Sequence, residues 1–166
     1  ASEPTAILDM PDPTEVMCLA ENMYHEAKNQ GTAGWSAVAS VTFNRIRDNR
    51  FPDTVCEVVK QGPTRESWKT RLLDLPDDER VYYPIRHRCQ FSWYCDGKSD
   101  DIPSFDGKLF EIMYDYAELY LRPDIILIDI TDGATHYHAD YVFPEWRKSK
   151  TKTVEIGDHI FYRWER

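Results

Sequence analysis

The chain has 166 residues, of which 29 are acidic and 20 basic, and it carries a formal net charge of -9 with a sequence pI near 5.0. This length suits one compact domain with its own core, and the acidic excess argues against nucleic-acid binding, which needs lysine and arginine to neutralise phosphates. The longest aliphatic run, residues 125–128, is far shorter than a membrane-spanning helix, so membrane insertion is excluded.

Residues 1–11 are predicted to be an extended leader, and residues 12–166 one domain, because the chain contains no repeat and no Gly/Ser linker. A helix begins at Asp12, an acidic N-cap followed by proline and, three residues after the cap, by a glutamate that is expected to reach back to it. Apolar residues at the helical period continue this helix to about Asn29, and Gly31 lies beyond its end.

Later elements follow from the same signals. Helical segments are predicted at about residues 33–48, 53–61 and 105–121, with a helical turn or more within 66–75. Residues 62–104 are otherwise predicted to be mostly loop, and residues 134–143 and 153–164 to be extended, with a turn at Gly157-Asp158. Helices first and a short sheet last predict an α+β domain that is mainly helical.

Glu26 is the first candidate catalytic residue. It lies beside Leu19 and Met23 on the helical wheel, at the edge of the apolar stripe and in the last turn of the first helix. Partial burial and the negative end of the helix dipole both disfavour the carboxylate, so both raise the pKa of Glu26. An acid that stays protonated near neutral pH can serve as a glycosidase proton donor. By spacing alone, a solvated glutamate near a helix end is the alternative.

A second candidate is the segment between Cys89 and Cys95, in a chain whose aromatic content reaches 13%. Gln90 and Ser92 offer hydrogen-bonding groups, whereas Phe91 and Trp93 offer flat apolar faces. Sugar-binding sites use this combination, because the hydroxyl groups of a sugar need hydrogen bonds and its ring lies on a flat apolar surface. The alternative is that the two aromatic residues belong to the core beneath a loop.

The disulfide pairing of the cysteines is left open by the sequence. Four cysteines, Cys18, Cys56, Cys89 and Cys95, allow three disulfide pairings that the sequence does not separate, although the last two are close enough to close a small loop. The C-x-x-C spacing of common zinc and thioredoxin sites does not occur.

The third candidate is the extended segment around Tyr137. His136, His138 and Asp140 share one face of a strand, and Tyr137 points to the other. A metal site with two histidines and an aspartate can be imagined there, but it would need a further ligand that the sequence does not identify. We interpret the face as a polar groove wall and expect no metal or cofactor.

These motifs, in their order along the chain, resemble the SleB-type cell-wall hydrolases, which are typified by spore-cortex-lytic enzymes and include phage and secreted bacterial relatives. The resemblance covers about residues 16–163. The matching segments are residues 24–27 (Tyr-His-Glu-Ala), 43–46, 51–59, 89–93, 135–139, 144–146 and 156–163.

The resemblance implies a lysozyme-like α+β domain that cleaves the glycan strands of peptidoglycan. It also implies that Glu26 is the catalytic acid, since the family motif is usually Tyr-Gly-Glu-Ala. Here His25 replaces the glycine, and Gln30 and Ala33 stand where many relatives have glutamates, so a second acid on this helix is not expected. Residues that would line the sugar groove are Gln90, Phe91, Ser92 and Trp93, with Tyr137 and His138 on the facing wall.

A single acid favours a lytic transglycosylase that cleaves between N-acetylmuramic acid and N-acetylglucosamine. The alternatives are a hydrolytic muramidase, a zinc-dependent N-acetylmuramoyl-L-alanine amidase and a non-catalytic peptidoglycan-binding module. The expected protein is a monomer that acts on the wall in the periplasm, outside the cell or during phage lysis. Asn44, within the second helix, is expected to be a buried brace between helices rather than a substrate contact.

Overall fold

The computed structural model describes residues 10–166, so most of the predicted leader lies outside the described residues. The α-helices are α1 Pro13–Ala27, α2 Gly31–Arg47, α3 Val55–Val59, α4 Trp68–Leu72 and α5 Gly107–Leu121. The strands are β1 Thr64–Glu66, β2 Tyr82–Pro84, β3 His136–Ala139, β4 Thr151–Ile156 and β5 His159–Arg163. The predicted α+β class is confirmed. Within the described residues, none of the helices has the length and apolar character needed to cross a bilayer.

The helical core is built around α1, which packs against α2, α3 and α5. Its apolar stripe is fully buried, as at Leu19 and Met23, and it meets Val38 of α2, Val58 of α3 and Met113 of α5 in one cluster. The amphipathic period in the sequence therefore predicted the buried face of this helix correctly.

The start of α1 differs from the prediction in one contact. Asp12 caps the helix, since its carboxylate accepts a hydrogen bond from the Thr14 amide at 2.9 Å. Glu15 does not reach back to this cap. Its carboxylate accepts the amides of Val55 at 2.6 Å and Cys56 at 3.3 Å, so it satisfies the free N–H groups at the start of α3 instead.

The end of α1 also differs from the prediction. The helix stops at Ala27, a 3₁₀ turn covers Lys28–Gln30, and α2 begins directly at Gly31, whose φ of 72° lies in the left-handed region. The two helices are therefore joined by a tight corner rather than a loop.

Two small antiparallel sheets complete the fold. The C-terminal sheet has the order β3-β5-β4, and the predicted turn at Gly157-Asp158 connects β4 to β5. A second small core, formed by Ala37, Val41, Ala134 and Phe161, packs this sheet against α2. β1 and β2 pair within the segment that was predicted to be mostly loop, so that prediction missed a sheet.

The tip of the β4–β5 hairpin is tied to the corner after α1. The Gln30 side chain donates to the Asp158 carboxylate at 3.0 Å and accepts the Asp158 amide at 3.0 Å. Gly157 lies against the same side chain, and a Cβ at this position would collide with the Gln30 amide oxygen. This two-way contact holds the sheet beside the last turn of α1.

Candidate active site

Three parts of the chain meet around a cavity of about 400 Å³: the last turn of α1, the loop that carries residues 90–92, and β3. Six of the predicted site residues line it: Glu26, Gln90, Phe91, Ser92, Tyr137 and His138. The structure therefore brings together side chains that are more than 100 residues apart in the sequence.

Trp93 was expected in the same wall, and the structure places it elsewhere. Its side chain is buried beneath the loop, where the indole N–H donates to the Asn22 side-chain oxygen at 3.0 Å. The His25 ring stacks on the indole with centroids 4.4 Å apart, and His25 lines the cavity in its place. Trp93 thus supports a cavity residue, because a large aromatic side chain with a satisfied N–H is well suited to the core. Phe91 is also almost fully buried, although part of it reaches the cavity.

Glu26 is half-buried and lines the cavity. Burial raises the pKa of Glu26, whereas the Tyr137 hydroxyl and the Arg45 guanidinium lower it because they favour the carboxylate. Desolvation is the largest of these influences, so the group is held toward its protonated form. The raised pKa expected from the helical wheel is therefore present, with burial as its main cause.

Tyr137 is a polar neighbour of Glu26 in this cavity. Its hydroxyl is buried and close enough to influence the carboxyl, but among residues 10–166 it has no hydrogen bond of normal geometry. Burial and the nearby carboxyl raise the pKa of Tyr137 well above its ordinary value, so the phenol keeps its proton. The ring is fixed by packing against Phe91 and Phe161, with centroids 6.4 and 5.3 Å away. Tyr137 is thus a hydrogen-bond donor available to a carboxylate at Glu26.

Arg45 is a cavity residue that was not predicted from the sequence. It is only 4% exposed, its Nε donates to the Thr135 carbonyl at 2.7 Å, and its guanidinium lies 5.0 Å from the ring centroids of both Phe51 and Phe91. Burial lowers the pKa of Arg45 to about 10, so it remains a cation at neutral pH. One sequence signal could have identified Arg45 as a buried charge. It lies on the same face of α2 as Val41 and Thr42, which are buried.

A second depression of about 410 Å³ meets the cavity at His25 and Glu26. We call the two together the groove. Glu26 is the only carboxylate in the described lining of the cavity, and Asp101 lines the second depression. Glu21, on α1, is also half-buried, but the charges that influence its pKa are Lys60 and Asp100. Glu26 is therefore the one acid shared by the described linings of both depressions.

The histidines of β3 are engaged by other side chains. Both ring nitrogens of His138 have partners, the Ala139 carbonyl at 2.7 Å and the Tyr162 hydroxyl at 2.9 Å. His136 contacts the Thr135 hydroxyl at 2.9 Å. Across residues 10–166, no group of three or more His, Cys, Asp or Glu side chains is placed to hold a metal ion.

Two disulfides and one amide support the site. Cys18 pairs with Cys56, which links α1 to α3, and Cys89 pairs with Cys95, which closes the loop carrying residues 90–92. Asn44 does not brace two helices as expected. Its amide donates to the Asp129 carboxylate and the Ala134 carbonyl, both at 2.9 Å, and so connects α2 to the segment that leads into β3.

The fold resembles solved structures of wall-acting enzymes. The catalytic domain of the Bacillus cereus SleB protein matches with a TM-score of 0.57 and 20% identity over 98% of this chain and 100% of that one. The catalytic domain of the germination-specific lytic transglycosylase SleB from Bacillus anthracis matches with a TM-score of 0.53 and 18% identity over 97% and 100% of the two chains. At such identities the likeness concerns the fold.

No curated protein sequence matches the chain. Residues 29–162 match the family described as Cell Wall Hydrolase, in agreement with the resemblance seen in the motifs. Glu26 precedes the first matched residue, so its assignment depends on the geometry of the groove and on the motif itself. Because the matched span is most of the chain, the protein belongs to the cell wall hydrolase family.

Proposed function

We propose that this protein cleaves peptidoglycan glycan strands between N-acetylmuramic acid and N-acetylglucosamine as a lytic transglycosylase, with Glu26 as its single acid and base. Family membership supports a wall substrate, and the relative from Bacillus anthracis is named a lytic transglycosylase. The observation that carries the proposal is a desolvated Glu26 that lies where the two depressions of the groove meet, in a cavity with no second carboxylate in its described lining.

In the first half of the reaction, protonated Glu26 donates its proton to the bridging oxygen. The bond between this oxygen and the anomeric carbon of muramic acid breaks, and positive charge develops on the sugar ring. Glu26 becomes a carboxylate, which the Arg45 cation and the Tyr137 hydroxyl stabilise. The raised pKa of Glu26 keeps the proton available, and the two neighbours make its transfer less costly.

In the second half, the Glu26 carboxylate takes the proton of the muramic C6 hydroxyl. The C6 oxygen forms a bond to the anomeric carbon, which gives a 1,6-anhydro ring and returns Glu26 to its protonated form. No water is consumed. One group that changes protonation state twice is sufficient for both halves.

Two of the alternatives require features that the described residues around Glu26 do not show. Hydrolysis by paired carboxylates needs a second carboxyl about 5 to 9.5 Å from the acid, and Glu26 is the only carboxylate in the described lining of the cavity. An amidase needs metal ligands, whereas across residues 10–166 no group of three or more His, Cys, Asp or Glu side chains is placed to hold a metal ion.

Purified sacculi test the proposal when the released muropeptides are analysed by mass spectrometry. The wild-type protein is expected to release anhydro-muropeptides, and Glu26→Gln to lower the rate by about 10²–10⁴-fold, the usual loss for a general acid. Glu21→Gln is the matched control, because Glu21 is a half-buried acid of the same helix outside the cavity. Products with reducing-end muramic acid and no anhydro form would refute transglycosylation, and full activity of Glu26→Gln would refute the role of Glu26.

A further inference from the structure

A second concave surface lies on the segment that contains β1, α4 and β2, away from the groove. Its volume is about 730 Å³, larger than the cavity at Glu26. We call this surface the basic cleft, because four cations and two aromatic rings dominate its lining. These residues are Arg65, Lys69, Arg71, Arg86, Trp68 and Tyr83.

The described lining of the basic cleft has an excess of positive charge, four cations against one carboxylate. That carboxylate, Glu66, pairs with Arg80 at 2.8 Å, and Arg80 also pairs with Asp74 at 2.7 Å and with Asp77 at 3.6 Å. Within residues 10–166, no carboxylate lies within 4.0 Å of any of the four lining cations. By contrast, Lys148 and Lys152 in the C-terminal basic stretch are paired with glutamates. On a chain of net charge -9, this local excess favours an anionic ligand.

Both aromatic residues of the basic cleft are largely exposed. Trp68 is 61% and Tyr83 60% exposed, and the Lys69 ammonium lies 5.8 Å from the Trp68 ring centroid. Exposed aromatic faces in a concavity indicate a binding surface, since single-domain proteins bury most of their large aromatic rings. Flat faces beside cations fit a polymer of sugar rings that carries carboxylates. A simple phosphate polymer provides the charge but little ring surface.

The segment that carries the basic cleft is anchored on the wall of the groove. The Gln90 amide donates to the Gln61 carbonyl at 2.9 Å, and the His87 amide donates to the Cys95 carbonyl at 2.8 Å. Both ends of the segment are therefore bonded to the disulfide loop whose residues line the cavity. A polymer held in the groove is many sugars long, so a contact at the basic cleft would add to the affinity within the same complex.

We infer that the basic cleft is a second binding site for peptidoglycan, in which sugar rings lie on Trp68 and Tyr83 and stem-peptide carboxylates pair with Lys69 and Arg71. This inference rests on the proposed function for the identity of the polymer. Such a site would offset the repulsion between an acidic protein and an anionic wall, a repulsion that the groove alone does not relieve.

The test compares binding to purified sacculi from which phosphate polymers have been removed. All proteins carry Glu26→Gln, so that turnover does not consume the ligand. The double variant Trp68→Ala/Arg71→Gln removes one ring and one charge of the cleft. The matched control Ile126→Ala/Lys108→Gln removes an exposed apolar side chain and an exposed cation elsewhere. The conservative pair Trp68→Tyr/Arg71→Lys keeps both chemical features and separates recognition from any effect on folding.

At low ionic strength, the cleft variant is expected to bind about tenfold more weakly than its parent, the combined loss for one aromatic and one exposed ionic contact. The difference should shrink at high ionic strength, because salt screens the ionic part. The control and conservative variants should bind like the parent. Equal binding by the cleft variant and the control would overturn the inference. So would a difference that appears only on walls that retain their phosphate polymers. Failure of the proposed function is seen separately, as full activity of Glu26→Gln alone.

Discussion

At Arg45, one buried guanidinium faces both the acid and the phenol of the cavity. A buried arginine without a carboxylate in a tight ion pair is costly, because its charge has been taken out of water. Its Nη1 has no hydrogen-bond partner within residues 10–166, whereas its Nε is held by Thr135. The charge is therefore positioned to interact with whatever negative charge forms at Glu26.

Removal of this charge should move the pH dependence of catalysis. In Arg45→Met, the pKa of Glu26 rises further, because burial acts without the opposing cation. Since the proposed reaction needs protonated Glu26, the fall of kcat/KM at alkaline pH should shift to higher pH, while the maximal rate drops. Arg45→Lys retains the charge and should keep the wild-type profile. A Met variant with an unshifted alkaline limb would show that Arg45 has no electrostatic effect on the acid.

Some placements at the residue scale follow from a short pattern. Glu26 at the edge of an apolar stripe, and Tyr137 and His138 in an alternating strand, were expected to face one groove, and all three line the same cavity, while their roles stay predictions. The burial of Trp93 was not predictable in the same way, because it depends on Asn22, a polar residue of α1 that is 71 positions away. A buried amide that accepts an indole N–H leaves no local signal in the sequence.

At the level of elements, the two disulfides close loops of very different length, with sequence separations of 38 and 6. Loop-closure entropy predicts that Cys18→Ala/Cys56→Ala costs about 4 kcal/mol and Cys89→Ala/Cys95→Ala about 2 kcal/mol in the free energy of unfolding. Activity should follow the opposite order, because the shorter loop carries the cavity residues Gln90 and Ser92. Denaturant unfolding and sacculus turnover, measured on both variants, check this. The same order in both measurements would contradict the prediction.

The long helices, which carry a regular apolar stripe, could be predicted from the sequence. The helices α1, α2 and α5 each bury a regular stripe, and all three occur close to their predicted bounds. β1 and β2 have three residues each, too few to show an alternating pattern. Their pairing depends on register between residues such as Arg65 and Tyr83, which are far apart in the sequence. The Glu15 contact was mistaken for a similar reason, since its partner is the start of a different helix.

At the scale of the whole molecule, the half-buried histidine His136 makes the free energy of unfolding depend on pH. Burial lowers the pKa of His136 to about 3, and Arg45, Lys150 and Arg50 act in the same direction, whereas Asp48 opposes them. The folded state thus holds fewer protons than the unfolded state, whose histidine has its ordinary pKa of 6.5. Stability is retained above about pH 6.5 and falls as the pH decreases toward 3.

A non-titrating ring at this position should reduce that loss. His136→Phe keeps the packing against Phe51, Trp146 and Trp164 and removes the proton uptake. Melting temperatures measured from neutral pH to about pH 4 should fall less steeply than those of the wild type. The slope should not vanish, because the pKa values of His25 and His159 are lowered as well. Equal slopes for the Phe variant and the wild type would exclude His136 as a source of acid sensitivity.

The two-way contact between Gln30 and Asp158 has a consequence for engineering this scaffold. Tips of surface hairpins are ordinarily the preferred places to insert an epitope tag, a fluorescent label or a fused module. Here the tip at residues 157–158 is bonded to the corner directly after α1, and the strand that carries Tyr137 pairs with the same hairpin. Extra residues at this turn would therefore break the contact with Gln30 that holds the sheet beside α1. Exposed positions such as Ile126 are the better choice for grafted sequence.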